Sequence, residues 1–389
     1  MINQHVRAIA ASLAALLCAL SLGGCAERLP EFERETEGAY ESRVMGFWQG
    51  TVGVYHDFAV DDMGNLYDAF SGEIRGDFCE DAACDGNCFL EAGYTSVNQI
   101  CDGRVYFTQY YAAEDLYLYC DLELLTGRVE VLLRLPREES TSETHAWIEN
   151  GYMYYMRTQL KEGGDSDNPT DYADCIFRIP LEGGESEMVY MARSVSESLQ
   201  LVADNGVYTV DMGTIYRYDL TTGEQRALYN SVENGFRQSF GALQYVDGYL
   251  YMPAFPEGTA TFLLAVLHVE SGEWQLITEE PLASYAVTND AVYFVLRQPH
   301  TVSAPEFEMQ YSNVCAPTIY ACDTDGGNVR HIWTDESGLY DFIYGFTVAD
   351  GVFYGNVSHF DVESNAWSAP FFAEIRFDTG EILPALRVE

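Results

Sequence analysis

The sequence predicts an all-β fold, a β-propeller with seven four-stranded blades as the leading count and six or eight also open. Three observations carry this. A phrase of Gly or Asp, one or two residues and a Tyr recurs as Gly64-Asn65-Leu66-Tyr67, Gly103-Arg104-Val105-Tyr106, Gly151-Tyr152-Met153-Tyr154, Gly206-Val207-Tyr208, Gly248-Tyr249-Leu250-Tyr251, Asp290-Ala291-Val292-Tyr293 and Gly351-Val352-Phe353-Tyr354. Its spacing averages about 48 residues, the period of a propeller or solenoid repeat. Each phrase is followed by a second apolar run and a tight turn, such as Glu182-Gly183-Gly184-Glu185, Thr221-Thr222-Gly223-Glu224, Glu270-Ser271-Gly272-Glu273 or Thr379-Gly380-Glu381. The runs alternate apolar and polar residues and are rich in Val, Ile, Tyr, Phe and Thr, as half-buried strands require. A β-sandwich or two stacked β-domains is the alternative, but neither needs a fixed long period with two matched turns per unit.

The chain opens with an apolar run from Ala8 to Leu22, broken only by Ser12 and Ser21. It is too short to span a bilayer comfortably and suits the core of a signal peptide. Leu22-Gly23-Gly24-Cys25 resembles a bacterial lipobox, so 1–24 is expected to be a lipoprotein signal and Cys25 the lipidated first residue. An ordinary cleaved signal that carries Cys25 by chance is the alternative. Three membrane-embedded acyl chains would hold far better than one, because each buried CH₂ adds about 0.8 kcal/mol. Residues 25–45 then form a lipid-anchored acidic tether, and 46–389 a single propeller. The first unit is compressed, with a faint innermost strand within 42–48. Ring closure is expected to pair strands from the two termini, which removes exposed edges.

The net charge is −41, from 61 acidic and 20 basic residues. Such a surface repels nucleic acid and anionic lipid, so no nucleic-acid partner is expected and membrane contact runs through the anchor alone. This places the protein at the cell membrane, on its extracytoplasmic face.

Ten Cys occur. Cys18 leaves with the signal and Cys25 takes lipid. The remaining eight are Cys79, Cys84, Cys88, Cys101, Cys120, Cys175, Cys315 and Cys322. An even count outside the cytoplasm favours disulfides, with connectivity open; Cys101–Cys120 and Cys315–Cys322 are the expected pairs. The cluster Cys79–Cys88 has thiolate spacing that could bind zinc, yet it lacks a nearby fourth ligand and reads better as a disulfide-stapled loop. Asp323–Asn328 has the look of a calcium loop without the downstream Glu, and the same residue types make a hairpin turn. No metal or other cofactor is expected.

Units such as Ile319-Tyr320-Ala321-Cys322-Asp323-Thr324-Asp325-Gly326-Gly327-Asn328 and Ile176-Phe177-Arg178-Ile179-Pro180-Leu181-Glu182-Gly183-Gly184 resemble DUF5050-type propellers, which are related in pattern to TolB-like and YWTD propellers. The resemblance runs from about Gly46 to the C-terminus. It implies a bacterial surface lipoprotein with a Cys-rich loop after the first blade. Gly86 stands where that loop would carry His, which weakens any metal role taken from the family. Fold alone does not confer function.

No Gly-x-Ser-x-Gly elbow, Gly-rich phosphate loop or His-Glu-x-x-His occurs. If the Tyr strand is second in each blade, both sets of tight turns share one face. The long connections, 157–175 and 297–318, rise on the other, together with the inter-blade segment 230–244. Variable loops make that face the candidate binding surface. Arg157, Lys161, Arg297, His300, Tyr311, His359 and Trp367 are its candidate contact residues. The leading expectation is a non-catalytic, lipid-anchored module for a glycan, peptide or envelope protein. A glycan hydrolase or lyase with its site at the propeller axis and an envelope-assembly scaffold are the alternatives.

Overall fold

The computed structural model describes residues 45–46, 53–55, 58–60, 66–68 and, with short gaps, 95–384. Strand β1 (Met45–Gly46) stands apart from its sequence neighbours. Strands β2 (Gly53–Tyr55), β3 (Phe58–Val60) and β4 (Leu66–Asp68) make a three-stranded meander. Six four-stranded blades follow. Blade 1 holds β5 (Thr95–Cys101), β6 (Arg104–Tyr111), β7 (Leu116–Glu123) and β8 (Val129–Pro136). Blade 2 holds β9 (Ala146–Glu149), β10 (Tyr152–Leu160), β11 (Tyr172–Pro180) and β12 (Glu187–Met191). Blade 3 holds β13 (Ser198–Ala203), β14 (Gly206–Asp211), β15 (Thr214–Asp219) and β16 (Gln225–Asn230). Blade 4 holds β17 (Gln244–Val246), β18 (Tyr249–Ala254), β19 (Leu263–His268) and β20 (Trp274–Leu276). Blade 5 holds β21 (Leu282–Val287) and β22 (Val292–Leu296), then an inserted hairpin β23 (His300–Ala304) and β24 (Phe307–Tyr311), then β25 (Thr318–Cys322) and β26 (Arg330–Thr334). Blade 6 repeats this plan: β27 (Phe342–Ala349) and β28 (Val352–Ser358), a hairpin β29 (Phe360–Asp361) and β30 (Ala366–Trp367), then β31 (Phe371–Arg376) and β32 (Ile382–Pro384).

The fold is a β-propeller, and its complete four-stranded blades number six rather than the leading count of seven. The first sequence unit supplies only the meander β2–β4 among the described residues. That sheet touches β27 and β28 on one side and β5 on the other, so it stands between the last blade and the first. Its expected innermost strand went elsewhere. β1 pairs antiparallel with β17, Met45 opposite Tyr245 and Gly46 opposite Gln244, and also contacts β13. Among the described residues, each of the six blades is contiguous in sequence, so none pairs strands from the two termini.

Local chemistry sets the meander. The turns between first and second strands place Asp102 and Gly103, Asn150 and Gly151, Asp204 and Asn205, and Asp247 and Gly248 at positive φ, between 45° and 88°. Two consecutive left-handed residues make the type I′ hairpin, whose twist matches that of its strands. The turns between third and fourth strands share one bond pattern. Glu123 N donates to Arg128 O at 2.9 Å, Asp219 N to Glu224 O at 2.8 Å, His268 N to Glu273 O at 2.8 Å and Arg376 N to Glu381 O at 3.0 Å. The two turn sets also bond each other: Leu181 N to Gly151 O, Leu220 N to Asn205 O and Val269 N to Gly248 O, at 2.8–3.0 Å. Both therefore lie on one face, as the sequence indicates.

The core sits in the seams between blades. Tyr106, Tyr119, Ile148, Met153, Tyr155 and Phe177 fill the seam of blades 1 and 2. Tyr251, Leu264, Tyr285 and Phe294 fill that of blades 4 and 5, and Val295, Trp333, Phe346 and Phe353 that of blades 5 and 6. The recurring Tyr is a seam residue, with Tyr106, Tyr154, Tyr208 and Tyr251 buried.

The expected Cys101–Cys120 bridge does not form. β6 lies between β5 and β7, so the two backbones are two strand spacings apart, roughly 10 Å, beyond the ~7 Å a disulfide spans. The side chains also face opposite sides of the blade, Cys120 among Val97, Phe107 and Leu118, and Cys101 among Tyr106, Tyr119 and Ile148. Cys120, Cys175 and Cys322 are buried free thiols, so the Cys315–Cys322 pair is not made either. Cys25, Cys79, Cys84, Cys88 and Cys315 lie outside the described residues.

Candidate functional site

The face opposite the tight turns carries the long connections. Blade 5 extends there as β23–β24, with His300 directly opposite Tyr311. Blade 6 extends as β29–β30, with Phe360 opposite Trp367 and exposed His359 immediately before the hairpin. The fold thus sets His300 beside Tyr311 in register, and His359 at the root of the hairpin that carries Trp367. Arg297 lies outside the described residues.

Arg157 and Lys161 belong to blade 2 and are already engaged. Arg157, opposite Cys175 in register, places its guanidinium 5.4 Å from the Phe177 ring centroid. Lys161 Nζ donates to Thr170 O at 3.0 Å across the β10–β11 connection. Residues 231–237, which follow β16, emerge on this same face. Ser231 N donates to Gly213 O at 2.8 Å, Arg237 N to Phe255 O at 2.8 Å, and Phe236 forms an antiparallel bridge with Pro256.

A buried carboxylate, missed at the sequence level, pins the crossing from blade 2 to blade 3. Glu197 accepts from Tyr190 Oη at 2.6 Å, Thr209 Oγ1 at 2.7 Å and Arg193 N at 2.6 Å. Burial, then the Glu197 carboxylate, push the Tyr190 phenol upward. With its oxygens so occupied, Glu197 reads as a brace. Nearby, Asp211 accepts from Ser196 Oγ at 2.6 Å and Ser194 Oγ at 3.3 Å.

The axis is fixed by amides. Gln99 Oε1 accepts from Ile148 N at 2.8 Å and its Nε2 donates to Ile148 O at 3.2 Å. Asn98 Oδ1 accepts from Ala146 N at 3.2 Å, and Gln244 Oε1 from Val287 N at 3.3 Å. These side chains satisfy innermost-strand edges that have no β-partner in the next blade. β9 is flanked by two titratable groups at opposite ends: His145, which burial lowers to about 4, and Glu149, which burial raises. Four residues apart along a strand, they sit towards opposite faces and do not form an acid–base pair.

Two constellations that suggest chemistry are turn caps. Ser271 Oγ lies 2.8 Å from His268 Nδ1, but Ser271 N also points at Nδ1 from 3.3 Å, and the nearby Glu273 contacts the Ser rather than the His. A catalytic acid must orient the base. In 323–328, Asp323 accepts from Asn328 Nδ2 at 2.6 Å and Arg330 at 3.1 Å, and Asp325 Oδ1 from Gly327 N at 2.8 Å. The carboxylates close a hairpin turn. Among the described residues, no group of three or more His, Cys, Asp or Glu could hold a metal ion.

No protein-family model matches the chain, and no curated protein does. Solved structures do. A prolyl endopeptidase aligns over 90% of this chain and 49% of its own, at 10% identity and TM-score 0.51. The acylaminoacyl peptidase of Pyrococcus horikoshii aligns over 75% and 44%, at 14% identity and TM-score 0.48. The β-propeller domain of the Trilobed protease from Pyrococcus furiosus aligns over 75% and 84%, at 14% identity and TM-score 0.46. The chain spans less than half the length of the two peptidases. At such identity the likeness is one of fold.

Proposed function

We propose that this protein is a lipid-anchored, extracytoplasmic binding module that takes an extended ligand, a glycan or a peptide segment of an envelope protein, on the long-loop face of its propeller. One observation carries the reading, the asymmetry of the two faces. One face carries short turns, bonded to each other in blades 2, 3 and 4, and the other carries the hairpins β23–β24 and β29–β30 on adjacent blades. Rigid scaffolds commonly present binding residues on such long connections. His300, Tyr311 and Trp367 lie on these hairpins and His359 immediately precedes the second, and they supply aromatic and hydrogen-bonding groups suited to sugar rings or peptide backbone. The anchor rests on Leu22-Gly23-Gly24-Cys25 behind the apolar run. The same reading sets the chain beside DUF5050-type and TolB-like surface propellers.

Two measurements test it. Metabolic labelling with a palmitate analogue should mark the wild-type protein and not Cys25→Ala; equal labelling would remove the anchor. The full-length, detergent-solubilised protein, screened on glycan and peptide arrays, should show saturable binding without consuming the ligand. Turnover abolished by mutating a carboxylate would replace the binding role with an enzymatic one.

A further inference from the structure

Three large apolar side chains stand out of the long-loop face of blade 3 as one group. Val195 is 75% exposed, Met212 61% and Val232 49%. Their neighbours in sequence tie them together. Ser194 and Ser196, on either side of Val195, both bond Asp211, the residue before Met212. Ser231, the residue before Val232, bonds Gly213 O, just after Met212, through both its N–H at 2.8 Å and its Oγ at 3.0 Å.

Met212 is also in the wrong conformation for its type. It occupies the first central position of the two-residue turn between β14 and β15, at φ 48°, with Gly213 at 81°. In four other turns with this geometry that position is held by Asp102, Asn150, Asp204 and Asp247. Short polar side chains accept the left-handed region and a long apolar one has no local bond to offset it. Nor does Met212 pack on the core. An outlier of this kind, exposed and unexplained by the fold, points to use at a surface. Methionine suits a docking site because its flexible, polarizable chain adapts to an incoming group.

The rim indicates what docks. Asp211 and Glu233 are the sequence neighbours of Met212 and Val232, and Glu257 N donates to Gly235 O at 3.0 Å, two residues past Glu233. Against them stand Arg193 and Arg237, and the Arg237 guanidinium is engaged by Thr259 O. The whole chain carries −41. We infer that Val195, Met212 and Val232 form a protein-docking patch whose partner presents a bulky apolar side chain flanked by Lys or Arg. The inference rests on the reading of this face as the binding face and adds a second, separate contact on blade 3. The apolar anchor would supply affinity, and the acidic rim would select basic flanks and exclude acidic ones.

The test uses the full-length protein in detergent and three fluorescent peptides: Phe-Leu flanked by Lys and Arg, the same core flanked by Glu, and Ser-Ser flanked by Lys and Arg. Binding is expected for the first alone and should weaken with salt. Met212→Asn should fold normally, since Asn favours this turn, and should weaken the first peptide about thirtyfold, as removal of an anchor residue does. Met188→Ser, which changes an exposed apolar residue on β12, should leave binding unchanged. Absence of peptide binding, indifference to Met212→Asn, or equal binding of the Glu-flanked peptide would overturn the proposal. Self-association in sedimentation that Met212→Asn abolishes would also overturn it, by making a second copy the occupant. An array ligand that survives Met212→Asn while the peptide is not bound would keep the hairpin reading and remove this one.

Discussion

Gln99 binds Ile148 at both of its backbone positions, its Oε1 accepting from Ile148 N at 2.8 Å and its Nε2 donating to Ile148 O at 3.2 Å. One side chain thereby stands in for a strand along the seam of blades 1 and 2. Gln99→Leu should leave a buried donor and acceptor unpaired and cost about 2–4 kcal/mol in denaturant unfolding. Gln99→Glu should be worse at neutral pH, because a buried carboxylate meets Ile148 O. Burial would raise its pKa in the folded state, so stability should recover as pH falls and the acid protonates. A neutral effect of Gln99→Leu would mean the seam does not depend on this bridge.

Gly206 on β14 lies under Arg217 on β15. A Cβ at Gly206 would sit 2.7 Å from Arg217 Nε and 3.1 Å from its Cγ. Arg217 is held where it is by Asp204 O at 2.7 Å and Asp219 Oδ2 at 3.0 Å. Gly206→Ala should therefore cost about 1–3 kcal/mol, the range for overpacking. In an Arg217→Ala background the same change should cost little, since its opponent is gone. Thermal unfolding of the four variants measures the coupling; additive costs would contradict it.

Burial holds His145 neutral in the folded protein, with its pKa lowered to about 4 from an ordinary 6.5. The unfolded chain thus takes up this proton first as pH falls. The stability that neutral His145 permits is complete above about pH 6.5 and declines towards pH 4, by up to about 3 kcal/mol. His145→Gln should not show this component. The difference between wild type and variant, measured by denaturant unfolding across that interval, should shift in the variant's favour as pH drops. A constant difference would place His145 in contact with water.

Burial pushes the thiols of Cys120 and Cys322 up to about 12 and that of Cys175 to about 11. Few thiolates exist at neutral pH, and the thiolate is the reactive form. Alkylation of the native protein should spare all three, and alkylation after non-reducing denaturation should modify all three. A disulfide-linked peptide containing any of them would refute the assignment.

The blade repeat was visible in sequence because hairpin chemistry is local. The residue pairs Asn150-Gly151 and Asp247-Gly248 carry their own left-handed preference, and strand alternation needs only neighbours. What crosses blades was not visible. Gln99 and Ile148 are far apart in sequence, and no spacing announces their bond. The Cys101–Cys120 expectation failed for the same reason, since spacing alone does not show that β6 runs between them. The faint strand within 42–48 is legible in sequence, but its partner, β17, is two hundred residues away in the chain. At the candidate site, 297–318 looked like a plain loop, although His300–Ala304 and Phe307–Tyr311 hold a short hairpin. Met212 could have been found, as an apolar residue where neighbouring turns carry Asp or Asn.

The most direct test of the binding account is a comparison of the two faces on ligands found by array. Replacing the tip of β23–β24 and, separately, β29–β30 with a two-residue turn should abolish or sharply weaken binding, while rebuilding the Thr221–Glu224 turn with Asn-Gly should leave it intact. Binding that survives loss of both hairpins, or that fails when only the short-turn face is altered, would contradict it.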